Sequence, residues 1–497
     1  MPRGNSPQLG SGRTPGLLAL APIYIVWPMK TFVRAALATA AMLGVIGCGG
    51  SGDTAPTSRL PVDHIAMSAS ATSVRVGQTV TLTATPVAAD GSTIAGSGMT
   101  WTSGSKSIAT VNASGVVTGV ALGVADIAAT SGGKSGHTAV TVTPANGGPT
   151  GDYVDVSLDR ELYTTCGRSA TVARCWGHNP DGEVGDGTQT DRAAPTQVGG
   201  SVSFAQISAG EPRSCGRTAV GDVYCWGNLN FVAGNSPDYH VTPALVASGL
   251  GFVDLSVSTS NICGLDASGK AYCWGGNTTG AVGDGTLNVR PTPVTVSGGL
   301  TFAQITVGRD FACGRTTAGV AYCWGKNDLG QLGDSTKTNR LAPTKVSDNL
   351  TFASIAAGFS AVCGLTPDGA IYCWGSTIYV VPGTGGVSTV PAHVTSTQSF
   401  VQVATGVFHA CALTAAGAAW CWGDGIAGEL GTGSLKPNSD TPVAVTGGLA
   451  FAKISAGKDA TCGVTVLGAL YCWGSDTFGD LGFGQVGKSA NAPTLVP

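Results

Sequence analysis

The sequence predicts an all-β protein: an immunoglobulin-like β-sandwich followed by a seven-bladed β-propeller with one disulfide in each blade. Charged residues are only 11% of the 497 residues and Gly, at 76, is abundant, which favours short strands joined by turns over helices. The string Cys-Trp-Gly occurs seven times, and another Cys lies nine or ten residues before each copy. Regular repetition of this kind is the sequence signature of a repeat architecture.

The N-terminal segment has the order of an export signal. Lys30 and Arg34 follow Met29, and an apolar run too short to span a bilayer leads to Cys48. Val45-Ile46-Gly47-Cys48 resembles the lipobox of bacterial lipoproteins, which implies that Cys48 becomes the lipidated first residue. An ordinary signal peptide ending near a Cys is the alternative. We expect residues 1–48 to be an over-extended start plus signal peptide, and the protein to reach the cell envelope of a bacterium, in the outer membrane or at the surface.

Two regions follow before the repeats. Residues 49–61 are rich in Gly, Ser, Thr and Pro and predict a flexible tether. Residues 62–143 alternate short β-branched runs with turn signals, as in a β-sandwich, and residues 144–151 predict a linker. The stretch from Trp101 to Ile127 resembles the group 2 bacterial immunoglobulin-like domain. The resemblance implies a spacer or an adhesive module. We expect Trp101 in the core, because a lone Trp on a strand usually packs between the sheets.

Residues 152–497 contain seven copies of one unit of about 50 residues. Each unit predicts a Phe-led strand, a strand with the first Cys, a Cys-Trp-Gly strand and, after a Gly-rich loop, a short Pro-led strand. Four strands per unit describe a propeller blade. We expect the C-terminal strand, at Ala492–Val496, to complete the first blade and so close the ring.

The repeat resembles that of the regulator of chromosome condensation family, whose propellers have seven blades. The resemblance covers about 345 residues and rests on the Trp-Gly element and on Gly-Asp-Gly-Thr, at Gly185–Thr188 and Gly283–Thr286. Blades two and five depart from it after their Trp-Gly, at Asn228–Asn235 and Ser376–Gly386.

The cysteine spacing predicts pairing within each blade. If Cys263 faces Cys273 across a hairpin, Ala267–Gly269 forms a three-residue turn with Gly269 at the position that needs a positive φ. A zinc site is the alternative, but zinc favours closer spacing and no His recurs with the repeats. The predicted pairs are Cys166–Cys175, Cys215–Cys225, Cys263–Cys273, Cys313–Cys323, Cys363–Cys373, Cys411–Cys421 and Cys462–Cys472.

No catalytic motif stands out. The six His residues are scattered, and the sequence has neither a nucleophile elbow nor a phosphate loop. Asp186, Asp284 and Asp334 recur in Gly-Asp turns, where Asp usually bonds its own backbone; calcium binding is the alternative. We expect no enzyme, no cofactor and no metal.

The predicted function is therefore binding. We expect a monomer that recognises a protein or glycan, contacts the membrane through its lipid anchor only and binds no nucleic acid, since the chain has no Lys/Arg run. One alternative is an enzyme inhibitor, because a secreted bacterial propeller of similar repeats inhibits β-lactamase. The other, implied by the family's eukaryotic members, is guanine-nucleotide exchange, which seven predicted disulfides and an export signal oppose.

Binding is expected in the loops between the Phe-led strand and the first Cys. These loops differ from blade to blade while the Phe, the Cys pair and the Trp-Gly repeat, and the first blade has two extra residues here. Loops on a rigid scaffold are the usual place for recognition. The Gly-Asp-Gly-Thr loops are assigned to the remaining surface. The candidate partner-binding residues are Arg213, Arg309, Phe311, Phe359, Phe408 and His409.

Overall fold

The computed structural model describes residues 60–95, 98–120, 123–143, 151–161, 163–210, 212–230, 239–376, 386–435 and 438–497. All regular elements in these ranges are β-strands, which confirms the all-β prediction. No helix in them is long and apolar enough to cross a membrane. Cys48 and the predicted signal peptide lie outside the described residues.

The first folded domain is a sandwich of two four-stranded sheets, ordered β1-β3-β6-β5 and β2-β8-β7-β4. Alternating residues of both sheets, such as Leu82, Val117 and Ile127, point inward and are buried in one core. Trp101 packs against this core, as predicted, and lies over Gly115. The strands are β1 (His64–Ala69), β2 (Ser73–Arg75), β3 (Thr79–Val87), β4 (Thr100–Ser103), β5 (Ala109–Val111), β6 (Val116–Gly119), β7 (Gly123–Ser131) and β8 (Lys134–Thr143).

The repeats form seven antiparallel sheets of four strands, here called A to D in chain order within each blade. The A strands are β9 (Asp155–Leu158), β13 (Gln206–Ser208), β17 (Phe252–Val257), β21 (Phe302–Gly308), β25 (Ser354–Ala357), β29 (Phe400–Thr405) and β33 (Phe451–Ala456). The B strands are β10 (Thr164–Arg168), β14 (Arg213–Arg217), β18 (Asn261–Asp266), β22 (Phe311–Thr316), β26 (Ala361–Leu365), β30 (His409–Thr414) and β34 (Ala460–Thr465).

The C strands, which carry Cys-Trp-Gly, lie between the B and D strands of each sheet. They are β11 (Ala173–Gly177), β15 (Val223–Asn228), β19 (Ala271–Gly275), β23 (Ala321–Gly325), β27 (Ile371–Ser376), β31 (Ala419–Asp424) and β35 (Leu470–Gly474). The outer D strands are β12 (Arg192–Gln197), β16 (Tyr239–Ala247), β20 (Arg290–Thr295), β24 (Arg340–Lys345), β28 (Val387–Val394), β32 (Asn438–Ala444) and β36 (Ala490–Leu495).

The A strands surround the centre of the ring. Each contacts the A strand of the next blade, and the cycle closes because β33 of blade 7 contacts β9 of blade 1. Ser and Thr side chains tie neighbouring A strands together: the hydroxyl of Ser157 accepts a hydrogen bond from the Ala209 N–H at 3.0 Å, and that of Ser455 accepts one from Leu158 at 3.1 Å. The propeller is therefore a closed ring around a central channel.

The expected mode of ring closure is wrong. β36 pairs with β35 of its own blade, and blade 1 is built entirely from its own strands β9 to β12. Blade 1 already has a Pro-led D strand, because Pro195 lies in β12 after the blade's own Gly-Asp-Gly-Thr loop. No strand is missing from it, so the C-terminal strand has nothing to complete.

The seven predicted disulfides are present, one in each blade. In blade 3, Cys263 faces Cys273 directly, and Gly269 has the predicted positive φ of 81°. Every bridge joins directly opposed residues of strands B and C, and all fourteen sulfurs belong to fully buried residues. Each bond therefore staples a hairpin from inside the packed ring.

Candidate functional site

Strand order places two sets of loops at one end of the ring. Since A, B, C and D run antiparallel, the A–B and C–D loops emerge on one face and the B–C turns and D–A connections on the other. Hydrogen bonds join the two sets of loops: Thr279 Oγ1 donates to the Asp310 carbonyl, and Thr164 Oγ1 to the His178 carbonyl, both at 2.8 Å. We call these the loop face and the turn face. The Gly-Asp-Gly-Thr loops therefore share a face with the A–B loops, contrary to the sequence-based assignment.

In five of the seven blades, the Trp of Cys-Trp-Gly joins its blade to the preceding one. In blade 4, the Trp324 Nε1–H donates to the Ala281 carbonyl of blade 3 at 3.0 Å. The indole lies against Gly283, where a Cβ would come within 2.5 Å of Nε1. The repeated Trp and the repeated Gly are thus partners across a blade boundary. The same bond is donated by Trp226 to Glu183, Trp374 to Gln331, Trp473 to Glu429 and Trp176 to Asp480.

The recurrent Asp of the C–D loops has a structural role. In blade 4, Asp334 Oδ1 accepts hydrogen bonds from the Thr336 N–H and hydroxyl, and Oδ2 accepts one from Arg340 Nε at 2.7 Å. Burial raises the pKa of Asp334, but these hydrogen bonds outweigh it and hold the pKa below its usual value. Asp186 and Asp284 have the same partners in their blades. Within the described ranges, no group of three or more His, Cys, Asp or Glu residues is placed to hold a metal ion.

The two extra residues of blade 1 close the loop-face end of the channel. Arg160 extends from the A–B loop of blade 1 across the ring and donates from Nη1 to the Val307 carbonyl of blade 4 at 3.0 Å. The Asp159 carboxylate accepts hydrogen bonds from the N–H groups of Arg160 and Glu161, at 2.7 and 3.0 Å, and so fixes the turn. Burial lowers the pKa of Arg160, and the charge of Asp159 opposes this. The insertion therefore acts as a plug.

Glu161 extends the plug to the rim of the loop face. It accepts a hydrogen bond from the Thr259 hydroxyl and lies 3.9 Å from Nε of Arg309. The Arg309 guanidinium lies 4.9 Å from the centre of the Phe359 ring. Burial raises the pKa of Glu161, while Thr259 and Arg309 lower it in part. Blades 1 to 5 thus meet around a shallow depression at this end of the channel.

Three of the six candidate partner-binding residues lie in exposed or half-buried loop positions. Arg309 has 47% of its side chain exposed, and Phe408 is 40% exposed. Phe359 is half-buried beneath Arg309. These three side chains therefore lie on the loop face.

The other three are buried, which corrects the interpretation of them as loop residues. Arg213, Phe311 and His409 are the first residues of B strands β14, β22 and β30. Each lies two residues before a Cys, and side chains two apart on a strand share a face, so each points into the packed ring beside the disulfide. The period of two along a strand is the sequence signal that predicts this inward position.

The buried polar members of this trio bind neighbouring backbone and side chains. Arg213 donates from Nε to the Asn228 carbonyl at 2.7 Å and from Nη1 to the Thr259 carbonyl of blade 3 at 2.8 Å. Burial lowers its pKa to about 10, and the nearby charge of Asp181 opposes this. His409 Nε2 lies 2.7 Å from Thr461 Oγ1 of blade 7, and burial lowers the pKa of its imidazole to about 4. Both residues join adjacent blades.

Three buried carboxyl groups were not singled out from the sequence. Glu183, Glu429 and Asp480 are the residues whose main-chain carbonyls accept the Trp Nε1–H bonds. Burial is the main cause that raises their pKa values, to about 7, 8 and 8 respectively, and neighbouring Asp charges add to the effect. Each of the three lies between a Gly and a hydrophobic residue of its C–D loop. Uncharged residues, Ala281 and Gln331, fill the same position in other blades, so an acidic residue there is a sequence signal for a buried carboxyl group.

Charge is distributed unequally between the two faces. Residues 151–497 contain 25 acidic and 18 basic residues, so the propeller is more acidic than the whole chain suggests. The loop face carries the described acids Asp159, Glu161, Asp181, Glu183, Asp186, Asp191, Asp284, Asp310, Asp328, Asp334, Asp424, Glu429, Asp440, Asp459, Asp476 and Asp480. Its described cations are Arg160, Arg192, Arg213, Arg290, Arg309, Lys326, Lys337, Arg340, Lys458 and Lys488. The described turn face has equal numbers of both signs.

Blade 6 adds exposed apolar surface to this acidic face. Ile426 of its C–D loop is 64% exposed and Phe408 of its A–B loop is 40% exposed. The two loops touch, because the Asp424 N–H donates to the Phe408 carbonyl at 3.0 Å. We call Phe408, Asp424 and Ile426 the blade 6 patch. Apolar side chains beside carboxylates can contribute buried area and charge pairing to one interface.

Comparison with known proteins agrees with this architecture. Residues 61–142 match the bacterial Ig-like domain (group 2). Two models of the regulator of chromosome condensation (RCC1) repeat match residues 268–314 and 318–365, and residues 302–331, 400–429 and 451–480. The chain carries a bacterial Ig-like domain followed by RCC1 repeats. It matches no protein in the curated set that was compared.

Solved propellers of RCC1 type have the same fold. Human WBSCR16 aligns with a TM-score of 0.59 at 19% identity, over 66% of this chain and 94% of its own. Yeast RCC1 (Prp20) bound to Kap60 aligns with the same score and identity, over 66% of this chain and 83% of its own. Prp20p of Saccharomyces cerevisiae, a protein with binding properties to Gsp1p and histones, gives the same score over 86% of its length. At this identity the likeness shows the fold alone.

Proposed function

We propose that this protein is an exported, lipid-anchored binding protein whose RCC1-type propeller recognises a basic polypeptide on its loop face. The observation that carries the proposal is the charge asymmetry: the described loop face has sixteen acidic and ten basic residues, whereas the turn face is balanced. Burial raises the pKa values of Glu183, Glu429 and Asp480 to about 7 to 8, and without these three the thirteen remaining acids still outnumber the ten cations. An acidic face attracts cationic partners and repels nucleic acid, anionic lipid and acidic glycans.

The blade 6 patch supplies the apolar part of the proposed interface. Interface energy concentrates in a few well-packed apolar or aromatic anchors surrounded by polar residues. Phe408 and Ile426 are exposed and stand beside Asp424, so they suit a segment that combines apolar side chains with Lys or Arg. Arg309 and Phe359, at the rim of the plug, form a second point of contact.

Export and anchoring belong to the same proposal. Seven buried disulfides suit an oxidising compartment outside the cytoplasm. The lipobox-like residues ending in Cys48 would hold the chain at the membrane, with the Ig-like domain as a spacer. An inhibitor of a secreted enzyme remains a special case of this binding role.

Guanine-nucleotide exchange is the second candidate, and the RCC1-type fold favours it. Yeast Prp20p, which shares the fold, binds Gsp1p and histones. The disulfides argue against this role here, because intracellular GTPases work in a reducing compartment. The proposed role needs no catalytic residue.

The experiment is a pull-down from envelope and secreted fractions with the full, disulfide-bonded protein, followed by affinity measurement on the captured partner. Ile426→Ser and Phe408→Ala should each weaken binding at least tenfold, while Val220→Ser should leave it unchanged. Val220 is a matched control, because it is 74% exposed and lies in a B–C turn of the turn face. Affinity should also fall as salt is raised. A partner that is acidic, or one that is lost through Val220→Ser alone, would contradict the proposal.

A further inference from the structure

The turn-face end of the channel has a chemistry of its own. The segment that contains each A strand begins with a Phe in most blades. The third residue of this segment, counted from its first, lies on strand A beside the channel, and we call the seven positions the belt. The residue two places after the first Cys lies beside the belt position on strand B. In blade 1 this pair is Asp155 and Arg168, and in blade 2 it is Gln206 and Arg217. Lys453 holds the belt position in blade 7. Blades 7, 1 and 2 are consecutive in the ring, so these three cations are neighbours.

The strand B position is apolar in most other blades. Leu265, Leu365 and Leu413 occupy it in blades 3, 5 and 6, and all three are buried. Arg168, Arg217 and, in blade 4, Arg315 are instead half-buried. Arg315 lies two blades from Arg217, so it is not adjacent to the other two. Packing therefore does not require a cation here, because the same scaffold position takes Leu.

The cations at this end have no ion-pair partner among the described residues. The ion pairs found within 4.0 Å include none with Arg168, Arg217 or Lys453. Arg217 donates from Nε to Gln206 Oε1 at 2.8 Å, a neutral acceptor. Nε of Arg168 is shielded from solvent and makes no hydrogen bond.

The carboxylates nearby are engaged by the main chain. Asp254 Oδ1 accepts hydrogen bonds from the Leu255 N–H at 2.9 Å and from Gln206 Nε2 at 3.1 Å. Asp155 Oδ1 accepts one from the Val156 N–H at 3.1 Å. These two acids are fewer than the three cations, so positive charge is in excess.

The pKa values of the charged groups at this end of the channel depend on the charges of their neighbours. Burial raises the pKa of Asp155, and the charges of Lys453 and Arg168 lower it in part. Burial lowers the pKa of Arg217, the charge of Asp254 raises it, and the like charge of Arg168 lowers it further. A like charge nearby disfavours the charged form of a guanidinium, so an anion between Arg168 and Arg217 would stabilise this arrangement.

We propose that Arg168, Arg217 and Lys453 form a binding site for a divalent oxyanion, phosphate or sulfate, at the turn-face mouth of the channel. Guanidinium groups suit this ligand because their N–H donors match two oxygens of a tetrahedral anion. The Nε–H of Arg168 has no hydrogen-bond partner among the described residues, so the guanidinium gains a bond when it turns this donor towards an anion. The oxyanion is either a free ion or a group carried on a glycan.

The test compares the full, disulfide-bonded wild-type chain with Arg168→Leu/Arg217→Leu. Leu is the natural residue at this position in three blades, so the double variant should fold, and removing the repulsion should raise its Tm in chloride. Sodium sulfate and sodium phosphate, at ionic strength matched with chloride, should raise the Tm of the wild type and not that of the variant. Calorimetric titration with inorganic phosphate should show at least tenfold weaker binding to the variant.

A second variant separates the site from general charge loss. Arg174→Gln/Lys270→Gln removes two turn-face cations outside this trio and should respond to sulfate like the wild type. A sulfated disaccharide, titrated beside inorganic sulfate, distinguishes a glycan-borne group, which should bind more tightly, from a free ion. Equal stabilisation of wild type and Leu variant, or no binding of any of the three probes to the wild type, would overturn the proposal.

Discussion

The Trp176 indole donates a hydrogen bond from Nε1 to the carbonyl of Asp480 at 2.9 Å, although the two residues are 304 positions apart. The bond joins blade 1 to blade 7 and repeats the bond between Trp324 and Ala281 inside the chain. The ring is thus closed by the same interaction that joins other consecutive blades. A strand shared between the first and last blades is not needed.

Trp176→Phe should destabilise the whole propeller. The Asp480 carbonyl accepts two buried hydrogen bonds, one from Trp176 Nε1 and one from the Thr165 hydroxyl. The change removes the first of them and part of the packing of the indole, which costs about 1–3 kcal/mol. Denaturant unfolding followed by fluorescence measures the loss. Trp420→Phe is the control, because Trp420 is half-buried in blade 6. An equal loss of unfolding free energy in the two variants would show that the hydrogen bond at the ring closure does not stabilise the propeller.

The disulfides should resist reduction while the protein is folded. All fourteen Cys residues are fully buried, and thiol exchange requires access to a sulfur. Thiol labelling after treatment with a phosphine reductant should therefore find no free thiol until denaturant is added. Replacing one pair, Cys363→Ala/Cys373→Ala, should cost about 2–3 kcal/mol because the loop it closes is short. Rapid reduction of the native protein would contradict the buried placement.

Lipidation of Cys48 stays a prediction from the sequence. Cys48→Ser should move the protein from the membrane fraction to the soluble fraction, because a Ser cannot receive the lipid thioether. Mass spectrometry of the N-terminal peptide should find a lipid adduct on the wild type and none on the variant. Unchanged partition between the fractions would disprove the anchor.

Much of the fold was predictable because its rules are local and repeated seven times. Spacing placed Cys263 opposite Cys273, and the turn at Gly269 followed from it. Ring closure was mispredicted because pairing between Ala490–Leu495 and its neighbours is decided over long distances along the chain. The plug could not be predicted for the same reason. The two-residue insertion is visible in the sequence, but the contact of Arg160 with Val307 depends on the closed ring that brings blades 1 and 4 together.

The candidate site was less predictable than the fold. Arg213 and His409 fall in the segments between the Phe-led strand and the first Cys, which are predicted to be loops, although strand periodicity puts them inside the ring with the disulfides. The loop face could not be recognised as acidic until strand order had placed the A–B and C–D loops together. Arg309 and Phe408 do lie in A–B loops, because strand B begins only at Phe311 and at His409 in their blades.

Stability should depend on pH through the buried carboxyl groups. Burial raises the folded-state pKa values of Glu429 and Asp480 to about 8, well above those of the unfolded chain. The folded state then holds more protons than the unfolded state between about pH 4.5 and 8, so stability falls as pH rises through this window. His409, with its pKa lowered to about 4, acts in the opposite direction below pH 6.5.

Glu429→Gln isolates the carboxyl contribution, since Gln331 fills the same position in blade 4. The variant should be more stable than the wild type at pH 8, and the difference should shrink towards pH 5. Chemical denaturation at several pH values measures it. A difference that does not change with pH would mean that the Glu429 side chain is ionised, or exposed to water, in the folded protein.

Arg213→Leu and Arg309→Ala should separate stability from binding. The guanidinium of Arg213 joins blades 2 and 3 by hydrogen bonds to the carbonyls of Asn228 and Thr259, so its removal leaves buried carbonyl groups unpaired. We expect a loss of about 2–4 kcal/mol in unfolding free energy. Arg309 is nearly half exposed and lies 3.9 Å from Glu161, so its loss should change stability by less than about 1 kcal/mol.

Once a loop-face partner is isolated, Arg309→Ala should weaken binding while the thermal transition stays in place. If Arg213→Leu left stability unchanged and abolished binding in a folded protein, Arg213 would contact the partner and its buried placement would be wrong.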